Sequence, residues 1–127
     1  MLYSRFSGIV GKEDKMNIKQ YSKNADKTIN FDMSEEERLL QGVVGMTGES
    51  AETMDIIKKI HFQKHKLTEE KRNHLIEEIG DVMWYANLLI KTLNTTWEEV
   101  LEVNNTKLAK RYPKGHFDTN DSINRIV

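Results

Sequence analysis

At 127 residues, with 19 basic and 20 acidic side chains and a net charge of −1, the chain is one domain's worth of polymer with no global field to gather nucleic acid or an anionic membrane. The absence of cysteine excludes a disulfide framework, a thiolate nucleophile and cysteine-based zinc sites, and it agrees with a cytoplasmic protein. No run is long and apolar enough for a membrane span, the opening MLYSRFSGIVGKEDK has too short an apolar segment for a signal peptide, and a single proline amid 31% charged residues points to an all-α fold.

Residues 1–15 read as an N-terminal extension, and 16–127 as the single domain. A first helix is expected from about Met16 to Thr28, with Ile18, Tyr21 and Ala25 at helical spacing. Ser34-x-x-Glu37 is a capping box that opens a long second helix reaching about Phe62. After the basic connector HFQKHKL, Thr68 can cap a third helix whose first turn holds Glu69 and Glu70, at the positive end of its dipole, and which extends to about Leu93. Thr96-x-x-Glu99 reads as another capping box, opening a fourth helix that runs to about Arg111 and stops before Pro113 and Gly115. The remainder reads as a tail. Four helices with short connections predict an antiparallel four-helix bundle.

Two stretches stand out within these helices. Leu39 to Ala51 reads LLQGVVGMTGESA and Ile79 to Ile90 reads IGDVMWYANLLI, each with one acid, Glu49 and Asp81. A helix apolar on all sides is expected to be buried on all sides, which takes these carboxylates out of bulk water. Each has an acidic neighbour one turn away, giving Glu49-x-x-Glu52 and Glu78-x-x-Asp81, so that each pair projects from one helix face. Such spacing also arises by chance. Asp32/Glu35, Glu99/Glu102 and Asp118/Asp121 have it too, but at helix starts or in the tail, where capping and solvation explain them.

Along the second helix Glu49 and Glu52 share a sector with Gly42, Gly45, Ile56 and Lys59. On the third, Leu75, Ile79, Val82, Ala86, Leu89 and Leu93 form the main apolar stripe, beside a sector holding Glu78, Asp81 and Tyr85. Gly42, Gly45 and Gly48 each lose up to about 1 kcal/mol of helix propensity, which close approach by another helix or a ligand would offset. The two helices are therefore expected to face each other through their acids. Two unpaired carboxylates about 4 Å apart repel by about 4 kcal/mol at an effective dielectric of about 20, so four of them need a cation or the basic groups Lys58, Lys59 or Arg72. All-oxygen ligation favours Mg²⁺, with Mn²⁺ as a substitute. His61 and His65 have i, i+4 spacing that suits zinc, but no third ligand is evident.

Helix four offers Asn104, Lys107 and Arg111 in one stripe, a hydrogen-bonding group, a point charge and a guanidinium fork suited to phosphate oxygens. Alone this is a solvated face. Beside a metal-binding acidic cluster it becomes one half of a polyphosphate site. Lys59 is a further phosphate candidate, or else the partner of Asp55, and Tyr85 and Trp84 are aromatics that could meet a nucleotide.

These segments resemble the MazG-type all-α nucleoside triphosphate pyrophosphohydrolases over roughly residues 16–125, through GMTGESAETMDIIKK, EEIGDVMWYANLL, NNTKLAKRYPKGHF and the closing SINR. The resemblance implies Mg²⁺-dependent hydrolysis of a nucleoside triphosphate between the α and β phosphates, to the monophosphate and pyrophosphate. It implies Glu49, Glu52, Glu78 and Asp81 as metal ligands and Asn104, Lys107 and Arg111 as phosphate ligands; the mechanism expected on such a site has Glu49 or Glu52 accept the proton of the attacking water. It also implies a homodimer or homotetramer with sites completed across chains. The single short module departs from the two-module members of the family, so regulation by a second domain is not expected. Two alternatives stand beside it: a non-catalytic helical dimerisation module whose acids pair with lysines between chains, and a different metal-dependent phosphohydrolase.

Overall fold

The computed structural model describes residues 15–125, and every regular element in them is helical. The expected N-terminal extension lies outside the described residues except for Lys15. The elements are α1 (Ile18–Asp26), α2 (Glu35–Phe62), α3 (Glu69–Thr92), α4 (Trp97–Arg111) and α5 (Thr119–Ile123). No helix among the described residues is long and apolar enough to cross a membrane.

Local chemistry sets the boundaries. Ser34 accepts from the Glu37 backbone N–H while the Glu37 carboxylate accepts from that of Ser34, a complete capping box. Asn17 and Gln20 form a second one at the start of α1, which begins two residues later than periodicity alone predicts. Thr68 caps α3. At α4 the expectation is half met: Thr96 accepts from the Glu99 N–H, but the Glu99 carboxylate takes the hydroxyl of Thr95 instead of the cap backbone. Helix α3 ends in a Schellman motif, with Asn94 N–H on the Lys91 carbonyl, Thr95 N–H on that of Ile90, and Asn94 at φ 54°. Asn94 is one of the few non-glycine residue types that adopt this left-handed conformation readily. The tail contains α5, begun by Asp118, whose side chain accepts from the Asn120 and Asp121 N–H groups.

Helices α2 and α3 form the principal packing pair, an antiparallel hairpin in which each step forward on one is a step back on the other. Gly42 lies against Leu89 and Gly45 against Tyr85, and a Cβ at either position would collide with those side chains. Close helix approach therefore accounts for two of the three glycines, whereas Gly48 faces open space. Helix α1 covers another side of α3, and α4 packs on α1 and α3.

The buried apolar residues are few: Ala25, Ile29, Leu88 and Ile90. Asn87, only 1% exposed, is the polar hub among them. Its carboxamide oxygen accepts from Ser22 Oγ and Trp97 Nε1, both at 2.9 Å, and its nitrogen donates to Asp26, so one side chain of α3 ties down α1 and α4.

The expected burial on all sides is not found in the single chain. Leu40, Val43 and Val44 on α2 are each more than half exposed, as are Ile79 and Leu93 of the predicted stripe on α3. The reason is geometric: α2 has α3 on one face and no described element on the opposite one. Helix α4 has no buried residue at all.

Candidate metal centre

The hairpin register brings acids from both stretches together. One carboxylate oxygen each from Glu49, Glu78 and Asp81 lies within 4.8 Å of the others. Burial differs from expectation: Glu78 is the buried member at 7% exposure, Glu49 is half-buried and Asp81 is exposed. The two lone acids are thus less enclosed than their uncharged flanks imply, because those flanks are themselves uncovered in one chain.

The electrostatics are those of an uncompensated cluster. Glu49 is held above the usual carboxylate range, first by a hydrogen bond with the Glu78 side chain, then by partial desolvation, then by the charges of Asp81, Glu78 and Glu52. That hydrogen bond needs a proton. With both carboxylates ionised neither can donate, and Glu78 Oε2 is then buried with no hydrogen-bond partner. A proton on Glu49 or a cation would each supply what is missing. The basic groups do not: Lys58 and Lys59 both pair with Asp55, at 3.0 and 2.6 Å, and among the described residues no lysine or arginine forms an ion pair with Glu49, Glu52, Glu78 or Asp81. The donor set, all carboxylate oxygen, fits a hard divalent ion such as Mg²⁺ or Mn²⁺.

Glu52 stands exposed and outside the group of three, near enough for its charge to act on Glu49. Lys59 is engaged by Asp55 and is not brought to the acids. Tyr85 lies half-buried over Gly45, its ring edge to face with Trp84 at 5.1 Å. Trp84 is fixed by donation from Nε1 to Thr28 Oγ1 at 2.7 Å, which makes it a clasp between α3 and the segment after α1. No histidine joins a cluster of three potential metal ligands among the described residues, so His61 and His65 gain no third ligand.

The phosphate candidates lie apart from the acids within one chain. Asn104 and Lys107 line an open cleft of about 500 Å³ with Thr95, Glu99, Val100 and Val103, and this cleft contains none of the clustered carboxylates. Arg111 is half-buried at the end of α4.

Two neighbours of the cluster escaped the sequence reading. His74 Nε2 lies 2.8 Å from Glu78 Oε1, one turn earlier on α3, and its i, i+4 spacing is a signal present in the sequence. Tyr21 on α1 has its phenol pushed above its ordinary value by burial and then by the charge of Asp81, a proximity that nothing in the local sequence announces.

A model of the MazG nucleotide pyrophosphohydrolase domain matches residues 34–125. The chain belongs to the MazG family. The match begins at the cap of α2 and takes in every acid of the cluster and the whole of α4. The chain is also similar to the Gene 37 protein of Mycobacterium phage L5, 37% identical over 73 residues, or 57% of this chain and 64% of that protein. The alignment therefore spans less than two thirds of the relative's length. No solved structure matches. Membership of the MazG family agrees with the all-helical architecture and gives the acidic cluster its family context.

Proposed function

We propose that this chain is a nucleoside triphosphate pyrophosphohydrolase that cleaves between the α and β phosphates, releasing a nucleoside monophosphate and pyrophosphate with Mg²⁺ or Mn²⁺. The observation that carries the reading is the carboxylate cluster of Glu49, Glu78 and Asp81, which has a buried unpartnered oxygen and, among the described residues, no lysine or arginine paired with it. When bound, the divalent ion supplies positive charge against the triphosphate and makes water a better nucleophile.

The residues then divide the work. Glu49, Glu78 and Asp81 hold the ion, with Glu52 reaching it from the next turn of α2. One of the two glutamates of α2, Glu49 or Glu52, accepts a proton from the water that attacks Pα. Asn104, Lys107 and Arg111 bind the phosphates and stabilise the departing pyrophosphate. Tyr85 borders the site from α3.

This division requires α4 to meet acids it does not meet within one chain, so the active species is a homodimer or homotetramer in which α4 serves a neighbour's cluster. Support comes from the uncovered apolar residues: Leu40, Val43, Val44 and Met54 on the face of α2 opposite α3, and Leu101 and Leu108 beside the phosphate donors of α4. A second copy of the same chain would cover both.

A pyrophosphate-release assay over a panel of canonical and damaged ribo- and deoxyribonucleoside triphosphates, with and without Mg²⁺, tests the reaction. Release of pyrophosphate from at least one is expected. Stepwise release of orthophosphate would instead identify a different phosphohydrolase. Light scattering at several concentrations tests the assembly, and a monomer throughout would defeat the shared site.

A further inference from the structure

We propose that His74 is a positioning residue for the metal centre, donating from Nε2 to Glu78 Oε1 and thereby turning Glu78 Oε2 toward Glu49 and Asp81. The inference rests on the metal-site reading above and adds to it a residue that holds one ligand in place.

Glu78 is the buried member of the cluster, and its two oxygens have different surroundings. Oε1 lies 2.8 Å from His74 Nε2, while Oε2 is buried without any hydrogen-bond partner. The terminal torsion of a glutamate is broad and nearly two-fold, so a free carboxylate turns easily and presents either edge. Anchoring one oxygen fixes the plane and leaves the other as the ligand atom. Nothing else described does this when Glu49 is ionised: the neighbouring Lys71 donates to the Lys66 carbonyl, and no other side chain then donates to Glu78.

Donor and acceptor are one turn apart on the same 24-residue helix, so the contact is carried by a rigid element and not by a loop. Nε2 bears a proton in the imidazolium and in one neutral tautomer, so it can serve as the donor in either charge state. The imidazole is about half exposed, which leaves the fold tolerant of its replacement.

The test is Mn²⁺ binding by the full chain, read from the loss of the free-ion electron paramagnetic resonance signal, with no nucleotide present. His74→Leu should weaken binding by about tenfold or more, the range seen when outer partners of metal ligands are removed. His74→Gln, whose carboxamide can donate to the same oxygen, should recover affinity to within about threefold of the parent. Circular dichroism and melting of the metal-free proteins should be alike. Unchanged affinity in His74→Leu would overturn the proposal while leaving the metal site standing. Equal weakness of His74→Gln and His74→Leu would also overturn it, since the donated hydrogen bond would then not be what matters. A parent protein that binds no Mn²⁺ would overturn both this inference and the reading on which it rests.

Discussion

The α2–α3 hairpin and helix α4 carry the two halves of the proposed chemistry, and they are secured in opposite ways. The hairpin is locked by close approach, with Gly42 and Gly45 admitting Leu89 and Tyr85 at the level of the backbone, and its acids are in place within one chain. Helix α4 buries no residue and is tethered through Trp97 to a polar hub, with two of its phosphate-binding candidates, Asn104 and Lys107, on an open surface. A carboxylate cluster needs fixed short distances before any ligand arrives, because its ligands must converge on one point. Long basic side chains bind phosphate as mobile point charges or forks, and their helix can be supported by a neighbouring subunit.

The contrast can be broken most severely at Glu78. Glu78→Gln keeps an acceptor for His74 but removes the buried charge, and turnover should fall by about a thousandfold, near 4 kcal/mol of transition-state stabilisation, with loss of the Mg²⁺-induced rise in melting temperature. Asn87→Leu attacks the tether instead. It strands Trp97 Nε1, Ser22 and Asp26, and urea denaturation should show a loss of about 3 kcal/mol. The hairpin's glycines should separate by sign: Gly45→Ala, which meets the Tyr85 ring, should destabilise by about 2 kcal/mol, whereas Gly48→Ala, facing open space, should stabilise the free chain by up to about 1 kcal/mol. Lys107→Ala should raise KM about tenfold, or 1.4 kcal/mol, and leave metal binding untouched, as befits a residue of the other half.

A last and smaller effect sharpens the electrostatics of the cluster. Because the folded-state pKa of Glu49 lies above its ordinary value, folding favours the protonated form, and that contribution is lost as pH rises through the folded pKa. The lowered carboxylates Asp55 and Asp118 act in the opposite direction, contributing stability above their ordinary range. Melting of the metal-free protein against Glu49→Gln isolates the first term. From just above the ordinary glutamate pKa upward, the parent should lose stability relative to the variant, and saturating Mg²⁺ should reverse the difference, because the variant lacks a ligand.

Much of the fold was legible because its signals are local. Ser34 with Glu37, Thr68 and Thr96 mark helix starts by satisfying backbone N–H groups within one turn, and all three do so in the structure. The acids were legible for a similar reason, since i, i+3 spacing puts both members of a pair on one face whatever the helix packs against. Helix α5 went unread although Asp118 capped it, because a five-residue helix has too little periodicity to show. Burial was misjudged at Ile79 and Leu93 because hydrophobicity reports a need for cover and not its source, which in one chain is absent.

By itself, then, the sequence determined the four longer helices, the caps of three of them and the residue types of an oxygen-only candidate metal centre, all consequences of chemistry acting over four residues or fewer. Only the tertiary structure decided which three acids meet, that Glu78 and not Glu49 or Asp81 is the enclosed one, and that α4 stands off from the cluster. Each of these depends on the register of the α2–α3 hairpin or on Asn87 bridging α1 and α4, and such contacts join residues that the chain itself keeps far apart.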